Sequence, residues 1–175
     1  MITSIFASLY ILVIGFLVMT LFGYLVHWLL HQTWSGRLNH AHMTHHLRLY
    51  PTSDYLSDTY REAGKDNTVI MFFYFAIPLI LFPAVLYVVH IISLVSMILL
   101  FVEIFVVGKL HDYFHDSFHI RHHPLKKYAF FNTWTDIHFV HHLDMQKNFG
   151  IFFFGWDALF GSWQSVTPTT KAPTT

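Results

Sequence analysis

Phe101 to His123 reads FVEIFVVGKLHDYFHDSFHIRHH, and Pro124 follows. The first ten residues close an apolar run; the next thirteen carry five histidines. Residues three or four apart share a helix face. His111, His115, His119 and His122 or His123 therefore form one stripe of imidazoles at the end of a hydrophobic rod. Further on, His138, His141 and His142 span roughly 100° of helical arc and aim at one point. Neutral imidazole is the commonest metal ligand in proteins, so this region reads as half of a metal site.

The other half lies upstream. His27 and His31 stand four apart, and His42, His45 and His46 repeat the H-x-x-H-H spacing of His138 to His142. Each half of the chain thus offers an H-x-x-x-H pair and then a triplet. Two pairs and two triplets supply ten donors, about five for each of two ions, since transition metals usually take four to six.

Composition sets the solvent. Of the 175 residues 54% are hydrophobic and only 11% charged, well below the quarter that soluble domains carry, so a bilayer is the expected surroundings. With no cysteine, disulfides, iron-sulfur clusters and thiolate zinc sites drop out. Net charge is zero with histidine neutral, and no basic run points to nucleic acid.

Ile5 to Leu30 is almost uninterrupted apolar sequence that reaches roughly 39 Å as a helix, against a hydrocarbon core of about 30 Å. It is too long for a signal peptide and no basic residue precedes it. Val69 to Leu110, interrupted by the ionisable His90 and Glu103, reads as two further spans joined in a hairpin whose apex is Pro83 or His90–Ser93, the midpoint by length favouring the latter. Every Lys and Arg falls on the histidine side, which the positive-inside rule makes cytosolic. The expected fold is an all-α membrane protein of about three transmembrane helices beneath a cytosolic histidine-rich helical cap. One domain covers residues 1–166, and the Thr/Pro-rich tail 167–175 is expected to be disordered.

Smaller segments carry their own expectations. Asn39 or His40 opens the helix of the first triplet, and Pro51 stops it by Tyr50. The polar stretch Leu47 to Asn67 reads first as a solvated connector with a short helix, second as a flap over the metal site. Gly150 to Trp163, too short to span, reads as an interfacial return under the cap. Glu103 shares a face with His111 about 12 Å deeper in the membrane, where a carboxylate is a functional candidate or bonds a neighbouring helix. His40 and His90 read as ordinary core or interface residues. Asp112, Asp116, Asp136, Asp144 and Asp157, each near a histidine cluster, are candidates to accept the second ring N–H of a ligating histidine, or to serve as caps and surface charges.

The motifs also carry a resemblance. His27-x-x-x-His31, His42-x-x-His45-His46, His115-x-x-x-His119 and His138-x-x-His141-His142 resemble the histidine boxes of the fatty acid hydroxylase and sterol desaturase superfamily. Asn148-Phe149-Gly150 through Trp156-Asp157-Ala158-Leu159-Phe160-Gly161 resembles its closing segment. The spacing of His115-Asp116 to His138 and the small size are similar to bacterial carotene hydroxylases. This implies a membrane-bound non-haem di-metal oxygenase with all ten box histidines as ligands: His27, His31, His42, His45, His46, His115, His119, His138, His141 and His142. His111, His122 and His123 thicken the third box, so His119-x-x-x-His123 is an alternative register.

The implied cofactors are two iron ions, which zinc can displace during expression, together with O2. The implied reaction is hydroxylation or desaturation of an unactivated C–H bond in a lipid such as a fatty acyl chain or sterol. The chain has no dinucleotide-binding loop and no cysteine cluster, so a separate electron donor is implied, a ferredoxin or a b-type cytochrome with its reductase. The location is an integral one, in a bacterial inner membrane or the endoplasmic reticulum. A carotenoid hydroxylase and a non-catalytic metal- or haem-binding membrane protein are the alternatives. A zinc hydrolase would place a carboxylate base in an H-E-x-x-H box, which is missing.

Overall fold

A computed structural model describes residues 2–61 and 77–173, with side chains from Leu9 onward in the first helix. Among the described residues every regular element is a helix, apart from one isolated bridge between Ser57 and Ile120. α1 is Ile2–Leu30, α2 Arg37–Thr44, α3 Ile77–Val88, α4 Leu94–Phe118, α5 Ala129–Leu143 and α6 Gly155–Phe160.

Two described helices are long and apolar enough to cross a bilayer: Leu9–Leu30 within α1, and α4, whose 25 residues extend about 38 Å. Their apolar side chains point outward. Val13, Ile14 and Val18 on α1, and Val95, Val102 and Phe105 on α4, are all exposed. A soluble protein would bury such residues; here they face lipid.

α3, the remaining expected span, has 12 described residues, about 18 Å, and the sequence leading into it lies outside the described residues. The turn between α3 and α4 falls at Val89–Ser93, with His90 at φ 60°, and Ser93 caps α4 by accepting from Ser96 N at 3.1 Å. Pro83, the other candidate apex, sits inside α3.

α1 and α4 run in parallel and in register. Gly15 meets Glu103, and eight residues on, Gly23 meets His111. A Cβ at Gly15 would lie 2.9 Å from Leu100 Cδ2 as well as on the Glu103 carboxylate; one at Gly23 would lie 3.3 Å from the His111 ring. The two glycines therefore let the helices approach where α4 carries its polar side chains. Parallel packing brings the histidine-bearing ends of both helices to the same side.

Around that end the remaining segments form a cap. Gly36, at φ 61°, turns the chain into α2, which starts at Arg37, two or three residues before the expected Asn39 or His40. After Thr44 the helix widens into a π-turn, His45–Leu49, and stops at Tyr50 before Pro51 as expected. Residues 50–57 lie across the cap: Tyr50, Tyr55, Leu56 and Ser57 are buried, and Ser57 bonds to the chain beyond α4 (Ser57 N to His119 O, 2.9 Å; Arg121 N to Ser57 O, 2.8 Å). This corrects the solvated-connector reading for Tyr50 and Tyr55–Ser57, while the short helix Thr52–Asp54 and the residues Asp58 and Thr59 are exposed as that reading has it; residues 62–76 lie outside the description.

The return after α5 packs along α1. Phe153 meets Phe16 edge-on at 5.6 Å, and Trp156 Nε1 donates to Thr20 Oγ1 at 3.0 Å. The tail, expected to be disordered, is described as far as Pro173. It forms a capped turn at Pro168–Thr170, packs Ala172 against Tyr55, Leu56 and Phe139, and donates Ala172 N to Asp136 at 2.9 Å.

Candidate metal centre

Nine of the ten box histidines gather into two groups. His27, His31, His42, His46 and His141 form one; His45, His119, His138 and His142 form the other. Within each, one ring nitrogen from every residue lies within 4.8 Å of all the others. His115 lies beside the second group, its ring 4.7 Å from that of His45 and 4.9 Å from that of His138.

Helical phase explains the sorting. In the first triplet His42 and His46 face one group and His45 the other; in the second, His138 and His142 face one and His141 the other. Each triplet therefore gives a pair four residues apart to its own half and lends its middle histidine across. The chain widens into the π-turn His45–Leu49 within the first triplet, with both His45 and His46 buried, whereas the second triplet makes the same split on a regular α-helix.

The nitrogens that meet are mainly Nε2. His42 and His31 approach to 2.9 Å, His31 and His141 to 3.1 Å, His46 and His42 to 3.1 Å, and His138 and His119 to 3.3 Å. The opposite nitrogens of four rings are taken by backbone carbonyls: His27 Nδ1 by Phe149 O (2.6 Å), His141 by Lys147 O (2.6 Å), His142 by Tyr50 O (2.9 Å) and His119 by Tyr55 O (3.2 Å). A carbonyl only accepts, so each of those Nδ1 atoms carries the proton and each Nε2 presents a lone pair inward. Nε2 of His27, His45 and His142 is buried with no hydrogen-bond partner.

Converging lone pairs repel one another unless a cation stands between them. Donors about 2.0–2.1 Å from one ion are roughly 3 Å apart when adjacent, which is the spacing found here. An all-imidazole, carboxylate-free set suits iron, zinc, copper or nickel, and excludes calcium and magnesium.

Burial keeps these imidazoles neutral. It lowers the pKa of His31 to about 4, and holds His45, His46, His119, His138 and His142 well below the usual histidine value, neighbouring rings adding to the effect. Tyr50 and Tyr55 close the second group from above: the Tyr50 ring stacks on His119 at 4.0 Å, and Tyr55 meets His119 at 4.6 Å and His142 at 5.1 Å.

A model of the fatty acid hydroxylase family matches residues 12–162. The chain belongs to that family. No curated protein and no solved structure matches it. As a fatty acid hydroxylase family member with apolar spans and a histidine cluster able to bind metal, the protein is an integral membrane oxidoreductase.

The other histidines fall outside the two groups. His111 sits against Gly23; His122 is exposed; His123 stacks on Phe131 and accepts from Leu125 N at 3.3 Å. His40 lies on the exposed side of α2, and His90 at the distant turn. The expected carboxylate partners are corrected in kind. Only Asp116 meets a box histidine, His115, at 3.3 Å. Asp136 and Asp144 accept backbone N–H groups, and Asp157 accepts from Phe149 N, Gly150 N and Ser162 Oγ. Sequence spacing also gave no sign of the carbonyls or of Tyr50 and Tyr55, because every residue has a carbonyl and a tyrosine has no motif here.

Proposed function

We propose that the protein is a membrane-bound di-iron oxygenase that hydroxylates or desaturates an unactivated C–H bond of a lipid, a fatty acyl chain in the first instance. The observation that carries this reading is the pair of adjoining groups of inward-facing Nε2 lone pairs, buried at the end of two lipid-facing helices in a fatty acid hydroxylase family chain.

His27, His31, His42, His46 and His141 hold one iron; His45, His119, His138 and His142, with His115 beside them, hold the other. When bound, the iron pair supplies dioxygen binding and the oxidising power that zinc lacks. The chain's residues do the remainder. Four backbone carbonyls fix the ring tautomers with the proton on Nδ1, so no proton has to leave Nε2 before a metal binds. Tyr50 and Tyr55 cover the second group and keep bulk water from it. The lipid-facing surfaces of α1 and α4 let an acyl chain approach from the bilayer. Electrons come from a separate donor protein on the cytosolic side, a side for the cap that the distribution of Lys and Arg supports. A haem is disfavoured, because imidazole nitrogens 2.9–3.3 Å apart leave no room for a porphyrin plane between them.

Metal quantification on protein purified without chelator tests this directly: about two transition-metal ions per chain are expected. Expression in carotenoid-producing and plain hosts, with lipid profiling by mass spectrometry, identifies the substrate. A new hydroxylated or unsaturated acyl species supports the proposal, and an oxidised carotenoid or sterol alone moves the substrate elsewhere. His141→Ala and His45→Ala, one from each group, are each expected to abolish turnover while the protein still inserts. Turnover retained in either variant removes that residue from the ligand set.

A further inference from the structure

Each histidine group is oriented by its own stretch of backbone. Lys147 and Phe149, two residues apart, supply the carbonyls for His141 and His27, both of the first group. Tyr50 and Tyr55 supply those for His142 and His119, both of the second. The two supports share no residue.

The first support converges on one carboxylate. Asp157 is fully buried, and accepts from Phe149 N at 2.7 Å, Gly150 N at 2.9 Å and Ser162 Oγ at 2.8 Å. Since the Ser162 hydroxyl spends its proton on Asp157, the Tyr24 hydroxyl, 3.0 Å away, donates to Ser162. Tyr24 lies one turn before His27 on α1. Asp157 therefore grips the end of α1 twice: through Ser162 to Tyr24, and through the Phe149 peptide to His27. Peptide polarisation sharpens the second route, because an N–H bound to a carboxylate strengthens the neighbouring hydrogen bonds of the chain.

We infer that Asp157 is a positioning residue for one of the two metal sites only, the one formed by His27, His31, His42, His46 and His141. Losing it weakens that site and leaves the other intact. This rests on the two-site reading above, and the test separates the two ideas.

The experiment is Co(II) titration of the purified, metal-free full chain in detergent, followed by the visible absorption of bound cobalt and by metal quantification. Wild-type protein is expected to bind two ions; failure to do so overturns the two-site reading itself, before any variant is made. Asp157→Ala is expected to bind one ion at wild-type affinity and the second at least tenfold more weakly. Its one-ion spectrum should match that of His27→Ala and differ from that of His119→Ala. Two ions at wild-type affinity in Asp157→Ala, or both lost from monodisperse, helical protein, overturns the inference. If Asp157→Ala yields no monodisperse protein, Ser162→Ala serves instead. It removes one of the three donors, and a several-fold weakening of one ion only is expected. Equal weakening of both, or none, overturns the inference.

Discussion

At the scale of single residues, the closing segment is held by side chains that tolerate little change. Asn148 adopts φ 52°, which asparagine accepts more readily than most residues. It is buried, with its amide donating to Ile137 O and Gln164 O and accepting from Gln164 N at 2.8 Å. Asn148→Ala leaves those backbone groups unsatisfied in a left-handed position, a loss on the order of 3 kcal/mol. A lowered thermal midpoint in detergent checks it, and an unchanged midpoint contradicts it. Gly150 has no room for a side chain, because a Cβ would stand 2.5 Å from the Phe153 carbonyl and 2.7 Å from Asp157. His123 behaves differently. Its ring stacks on Phe131 at 5.3 Å, away from both groups, so His123→Ala is expected to keep both ions. Loss of one would restore the alternative register of the third box.

At the scale of elements, the contact between α1 and α4 fixes how the two halves of the centre meet. Gly15 and Gly23 are the points of close approach, and they match Glu103 and His111 residue for residue. A larger side chain at Gly15 must push α4 away or turn the Glu103 carboxylate into lipid. Gly15→Val is expected to cost about 1–3 kcal/mol through overpacking and to weaken metal uptake from a distance, since His27 and His31 ride on α1. Cobalt titration of Gly15→Val would show both effects separated from chemistry, and wild-type binding would show that the glycine is incidental. The run from Ile5 to Leu30 did announce a spanning helix, because length and apolar content suffice for that. The apex of the hairpin was partly legible: Pro83 and His90–Ser93 are both breaks in the sequence, the midpoint by length favours the second, and the turn falls there, whereas burial of Pro83 inside α3 is a packing outcome.

At the scale of the whole molecule, the metal centre ties distant parts of the chain together. Without metal, its buried imidazoles make the protein sensitive to acid. His31, at about 4 in the folded chain and near 6.5 when unfolded, has a lowered pKa, so below pH 6.5 the unfolded chain binds protons that the folded chain refuses. Stability is therefore fully present above about pH 6.5 and falls as pH drops towards 4. Thermal unfolding of chelator-treated protein should show a midpoint level above pH 7 and falling below it; a midpoint flat from pH 7 to 5 would contradict buried neutral histidines. The amino-acid order alone determined a helical membrane protein with four histidine clusters at helical spacing. Those properties depend on apolar content and on spacing along one helix, both of which are local. Only the folded chain decided that each triplet splits between two groups, that carbonyls from residues 50, 55, 147 and 149 hold the rings, and that the segment after Pro51 covers them. Helical spacing says which side chains share a face, but the neighbour that the face meets is set by contacts between residues as much as 138 positions apart.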